Sequence, residues 1–184
     1  MFISPNLPPA AEVCPKAAAT GNSRIGLIAT KASIRTGAYE RLITTIDPVA
    51  RVFSNPCPLF VPLVENGRFR RGDVVIETVA REYLKPLQDL GVDTLVLGCT
   101  HYPLLTEVIG DIMGPNVTLI DAGAACAQAV ADKLEHQDKL ADPDRVGTSR
   151  FFVSDSTEGF AQLAEIFLGQ PIAGQVQQIN IEQY

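Results

Sequence analysis

The chain has 184 residues, 46% of them hydrophobic, enough for one substantial core or for one domain with part of another. Its formal charge of −6, and a basic run no longer than Arg70-Arg71, exclude a general phosphate-backbone binder, so nucleic acid is not an expected partner. No apolar stretch approaches a membrane span, and four cysteines (Cys14, Cys57, Cys99, Cys126) without close pairing or a CxxC read as a reduced, cytoplasmic protein.

Met1 to Arg24 holds Pro5, Pro8, Pro9 and Pro15 within an alanine-rich stretch, which predicts loop and at most a short helix. Regular structure begins at Ile25, where Ile25 to Ala29 reads as a buried strand. Thr30 or Ser33 is placed to cap one helix carrying Ile34, Tyr39, Leu42, Ile43 and Ile46. Arg51 to Ser54 is a second short strand, followed by the proline-rich Asn55 to Pro58 and an irregular stretch to Glu65. Between Asp73 and Leu90, Val75, Ile76, Val79, Ala80, Tyr83 and Leu84 recur at helical spacing, with Pro86 expected to kink or end the helix and Gly91 to cap it.

The apolar run from Thr94 then stops at Gly98 and delivers Cys99, Thr100 and His101 together. Tyr102-Pro103 fits a helix start, because proline is tolerated at the first helical position and disfavours helix just before it. A helix amino end offers N–H donors and partial positive charge, which lower a nearby thiol's pKa and welcome a carboxylate. The competing reading is a free cysteine that merely packs as a small hydrophobe. That helix runs to about Met113, Val117 to Asp121 reads as a strand, and Ala122 to Leu134 as an alanine-rich helix containing Cys126. Glu135 to Ser149 is a charged surface loop. Arg150 to Ser154 is a strand, Asp155-Ser-Thr157 caps a helix that ends at Gly169, and Val176 to Ile181 is a final strand. Strands alternating with helices predict a three-layer α/β/α fold with a mainly parallel sheet, whose ligands gather at the carboxyl edge where Cys99 stands.

Several of these blocks occur together in a known order: Ile25 to Ser33 with Thr36-Gly-Ala-Tyr39, Cys57 to Glu65, Tyr83 to Leu87, Val92 to Leu105, and Leu119-Ile-Asp121. In this the chain resembles the glutamate racemases of the aspartate/glutamate racemase superfamily, from about residue 18 to its end. The resemblance implies cofactor-independent interconversion of L- and D-glutamate, the latter used in bacterial peptidoglycan, by two cysteines on opposite faces of the α-carbon. Cys99 matches the second of these. Thr100 and His101 match the substrate-contacting pair that follows it, His101 also assisting the thiol, while Thr30 and Ser33 match substrate-facing hydroxyls. Glu65 matches a carboxylate near the family's site, equally readable as a solvated loop residue, and Cys57 and Cys126 are expected to be structural.

The family's Asp-Ser-Gly and Cys-Asn-Thr blocks have no counterpart here. The expected organisation is therefore a middle α/β lobe over 18–104 that carries Cys99, and an incomplete second lobe over 105–184, without the family's N-terminal third. Such a chain is expected to be nearly inactive alone, with a homo-oligomer or a separately supplied lobe as partner. The alternatives are a racemase of another small acid such as aspartate, or a non-catalytic interaction fragment. Cys99 and His101 alone are too few ligands for a zinc site.

Overall fold

The computed structural model describes residues 17–172 and 174–183, so Cys14 and the proline-rich segment around it lie outside the described residues. These divide into two compact units, the first reaching Lys139 and the second starting at Leu140.

The first unit is built on four strands, β1 (Arg24–Ala29), β2 (Arg51–Pro56), β3 (Thr94–Leu97) and β4 (Thr118–Asp121). They lie in the order β2-β1-β3-β4, and every pairing is parallel. The crossovers are α1 (Lys31–Thr36), α2 (Ala38–Ile46), α3 (Phe60–Glu65), α4 (Val74–Asp89), a 3-10 turn (Tyr102–Leu105) and α5 (Thr106–Met113), with α6 (Ala122–His136) after β4. β1 and β3 are apolar along their length because helices cover both faces. Leu27, Ala29, Val96 and Ile120 pack on one face with Tyr39 and Ile43 of α2 and Ala125 of α6. Ile28, Leu95 and Leu97 pack on the other with Phe60, Leu84, Leu105 and Ile109. This is the expected three-layer arrangement.

Local expectations shift in four places. The helix expected across Ile34 to Ile46 is two helices, because Gly37 adopts a left-handed conformation (φ 61°) that ends α1 and redirects the chain into α2. The irregular stretch before Glu65 is α3: Pro62 occupies its third position, where an N–H would have no partner within the helix anyway. β2 continues through Pro56, which an edge strand tolerates. Pro86 neither ends nor interrupts α4, because it lies in the last turns, where buried Leu84 and Leu87 hold the segment to the sheet.

The division into units also differs from the expected boundary after residue 104. α5 and β4 belong to the first unit because β4 extends the same sheet, pairing along β3 from Thr94↔Thr118 to Leu97↔Asp121. Considered by itself, the second unit is a β-α-β element: β5 (Phe151–Val153), α7 (Thr157–Leu168) and β6 (Val176–Gln178), the two strands parallel. Ser156 caps α7 through the Gly159 N–H, Gly169 closes it, and Phe151 meets Phe160 at 6.4 Å between ring centres. Phe152, Phe167 and Leu168 remain exposed, which fits a two-stranded sheet with little to bury. No helix among the described residues is long and apolar enough to cross a membrane.

One polar network ties the entry of β1 to the entry of β3. The Asp93 carboxylate accepts hydrogen bonds from the Thr20 hydroxyl, from the N–H groups of Gly21 and Asn22 (2.8 Å each) and from the Thr94 hydroxyl (3.0 Å). Burial pushes this carboxyl up, but the donors outweigh it and hold the group below its ordinary 3.8. Its stabilising effect is therefore present above the unfolded pKa and is lost as pH falls through the lower folded value. Asp93→Ala is expected to cost about 1–3 kcal/mol in urea unfolding at neutral pH, with the difference from wild type shrinking in acid.

Candidate active site

The sheet order creates the site. β1 is followed by helices that pack on one face, whereas β3 is followed by the 3-10 turn and α5 on the other. Their carboxyl ends lie side by side, paired at Ile28↔Leu97, so the two connections part from neighbouring points, the place where open α/β sheets bind ligands. Gly98 permits the close approach: its N–H donates to the Ile28 carbonyl at 2.8 Å, and a Cβ there would lie 3.0 Å from that oxygen and 3.1 Å from the Ala29 Cβ.

On the β1 side, Thr30 caps α1, its hydroxyl accepting from the Ser33 N–H at 3.2 Å, with the two hydroxyl oxygens 3.0 Å apart. On the β3 side, Cys99 Sγ lies 3.9 Å from His101 Nδ1, and the Thr100 hydroxyl lies 3.4 Å from the same nitrogen. The far ring nitrogen, Nε2, is 3.1 Å from Glu65 Oε1 at the end of α3. A carboxylate only accepts, so Nε2 carries the proton donated to Glu65, leaving Nδ1 as the acceptor facing the thiol and the hydroxyl. Glu65, Cys99, Thr100 and His101 thus form one connected group, and Thr30 with Ser33 a second on the adjacent strand. Glu65 is exposed and partnered by His101 at the end of α3.

The Cys99 thiol departs from expectation. Burial raises its pKa above the ordinary 9.0. The backbone N–H of His101, the Thr100 hydroxyl and the backbone N–H of Thr100 pull it down by smaller amounts, and the Glu65 charge adds a further upward push. The amino end of the 3-10 turn does not override this, because the sulfur is half-buried against the core beneath the sheet. At neutral pH the group is therefore a thiol.

Cys57 is fully buried, its thiol 3.6 Å from the Asn55 carbonyl, and burial lifts its pKa to about 12. This agrees with a structural role. Because the folded value lies above the ordinary 9.0, the stabilisation is complete below about pH 9 and is lost as pH rises toward about 12. In denaturation across that window, wild type is expected to lose more stability than Cys57→Ala, which has no thiol to ionise. One residue escaped the reading of the sequence: Tyr102, taken as a helix start, is fully buried, and its hydroxyl donates to the Cys57 carbonyl at 3.0 Å. An aromatic phenol beside a catalytic loop was the available signal, but only packing reveals its partner.

Hydroxyls and a histidine-linked thiol thus gather at the carboxyl edge of neighbouring parallel strands, where open α/β sheets place their ligands. The sequence matches the Asp/Glu/Hydantoin racemase family over residues 5–130, and the chain belongs to that family. It is 43% identical over 166 residues to the glutamate racemase of Geobacter metallireducens, covering 90% of this chain and 60% of that protein. Against the glutamate racemase of Lactiplantibacillus plantarum it is 44% identical over 154 residues, covering 83% and 56%. The glutamate racemase of Francisella tularensis, solved in complex with D-glutamate, superposes with a TM-score of 0.83 at 30% identity, covering 96% of this chain and 64% of that one. The chain thus spans about 60% of the length of the curated relatives it matches.

Proposed function

We propose that the chain contributes the Cys99 wall of a glutamate racemase, exchanging the α-proton of glutamate without a cofactor and so serving the supply of D-glutamate for peptidoglycan. The observation that carries this reading is the line Glu65–His101–Cys99 at the carboxyl edge of β3, 3.1 and 3.9 Å in its two steps. The Thr30, Ser33 and Thr100 hydroxyls serve as donors for the substrate's carboxylates. When Cys99 acts as base, His101 Nδ1 takes the thiol proton, the Glu65 carboxylate stabilises the imidazolium, and the thiolate removes the α-proton. In reverse, the protonated thiol delivers a proton to the same face. A raised thiol pKa suits the second role directly and makes the first depend on His101. Inversion requires a second acid–base group on the opposite face of the α-carbon. Among the described cysteines, Cys57 is sealed in the core and Cys126 lies within α6.

The test is deuterium entry at the α-carbon of L- and D-glutamate in D2O. The full chain is expected to deuterate one enantiomer faster than the mirror form accumulates, with the rate rising as pH climbs toward the raised thiol pKa. Cys99→Ser is expected to abolish exchange, and Glu65→Gln to slow it about 10- to 100-fold, the range for one acid–base partner. Ordinary racemase turnover, or exchange undiminished in Cys99→Ser, would refute the assignment.

A further inference from the structure

We propose that Tyr102 is a positioning residue whose hydroxyl, clamped to the Cys57 carbonyl, registers the Cys99–His101 wall against both Glu65 and the Thr30 wall. This deepens the function proposed above and rests on it.

The geometry converges on the Cys57 peptide. Its N–H donates to the Ala29 carbonyl at 3.0 Å, one residue before Thr30, and its carbonyl accepts the Tyr102 hydroxyl at 3.0 Å, one residue after His101. Pro56 and Pro58 flank it and have no N–H, so this is the one backbone donor of the three-residue run, and its φ-locked neighbours stiffen it. A single residue, held through the peptide groups on both sides of its Cα and flanked by two prolines, therefore joins the loop after β1 to the loop after β3. The Tyr102 ring extends the tie sideways. It meets Phe60 edge-on, with centroids 5.3 Å apart and planes at 89°, and Phe60 meets Tyr83 likewise at 5.3 Å and 75°. Phe60 opens α3, the helix that ends in Glu65. The same side chain thus fixes the carboxylate's helix and the histidine's loop relative to each other. The Asn55 amide, donating to the Tyr83 carbonyl at 2.6 Å, braces the cluster from β2.

The experiment compares Tyr102→Phe with wild type and Glu65→Gln in the full chain by imidazole 15N NMR. The chain has two histidines, so His136 is an internal control. Wild type is expected to show His101 as the Nε2–H tautomer. Tyr102→Phe keeps the ring and loses only the hydroxyl, and it is expected to shift His101 toward the tautomer mixture of Glu65→Gln, with His136 unmoved. Its α-proton exchange is expected to show kcat reduced about 10- to 100-fold with KM for glutamate nearly unchanged, as displacement of a catalytic group gives. A His101 spectrum identical to wild type, or an unchanged kcat, overturns the proposal. Should Tyr102→Phe fail to fold, the unmodified chain decides: a slowly exchanging Tyr102 hydroxyl proton supports the clamp, and a hydroxyl in fast exchange with water overturns it. The tautomer readout needs no turnover, so a wild type without exchange refutes the proposed reaction and leaves the positioning role to be judged by NMR.

Discussion

The parallel join between β1 and β3 is the constraint on which the rest of the first unit depends. Two buried strands lie in register, and the Gly98 N–H continues their ladder one residue past the end of β3. From that point the chain turns to opposite faces of the sheet, and the site lies where it diverges. Without a side chain, Gly98 lets the backbone pass within reach of the Ile28 carbonyl and the Ala29 Cβ, which holds the exits of the two strands together. The placement of the site follows from a steric fact three residues upstream of the histidine.

At this site, burial and hydrogen bonding act on one sulfur in opposite directions. Partial desolvation disfavours the thiolate, and the donors of Thr100 and His101 favour it less strongly. A thiol at neutral pH follows, which in the proposed reaction can give a proton directly and depends on the imidazole to lose one. The Glu65 partner selects the tautomer that presents Nδ1 to the sulfur, and its negative charge raises the thiol further. One carboxylate therefore assists as an orienting group while opposing ionisation as a charge. In the proposed reaction, that combination suits a group that alternates between acid and base more than a permanently ionised nucleophile.

Behind this wall the structure is stiff for reasons that involve no catalytic atom. Cys57, a residue whose thiol is inert, contributes through its peptide, and Tyr102 through a hydroxyl sealed from water. A buried phenol with a satisfied donor rigidifies its surroundings, because movement would strand its hydroxyl in a low-dielectric interior, while the Cys57 carbonyl would keep only the Phe60 N–H at 3.3 Å. The Asp93 network does the same at the opposite, amino edge of the sheet, tying Thr20, Gly21 and Asn22 to the start of β3.

The sequence by itself determined the strands, most helices, the parallel α/β class and the identity of Cys99, Thr100, His101, Thr30 and Ser33 as site candidates. Those features are written in local terms: apolar runs, capping residues and blocks of contiguous side chains. Four local signals misled, at Gly37, Pro56, Pro62 and Pro86, because a glycine's φ and a proline's position within a helix or an edge strand decide whether it breaks the element, and spacing alone does not show either. Only the tertiary structure decided that Glu65 partners His101 across 36 residues, that Tyr102 reaches Cys57 across 45, and that β4 belongs to the first unit. It also reversed the expected direction for the Cys99 thiol, since a helix end is visible in a sequence while the depth of burial is not. Contacts between distant segments depend on how layers stack, and the energy of a buried charge depends on what surrounds it; neither quantity is a property of neighbouring residues.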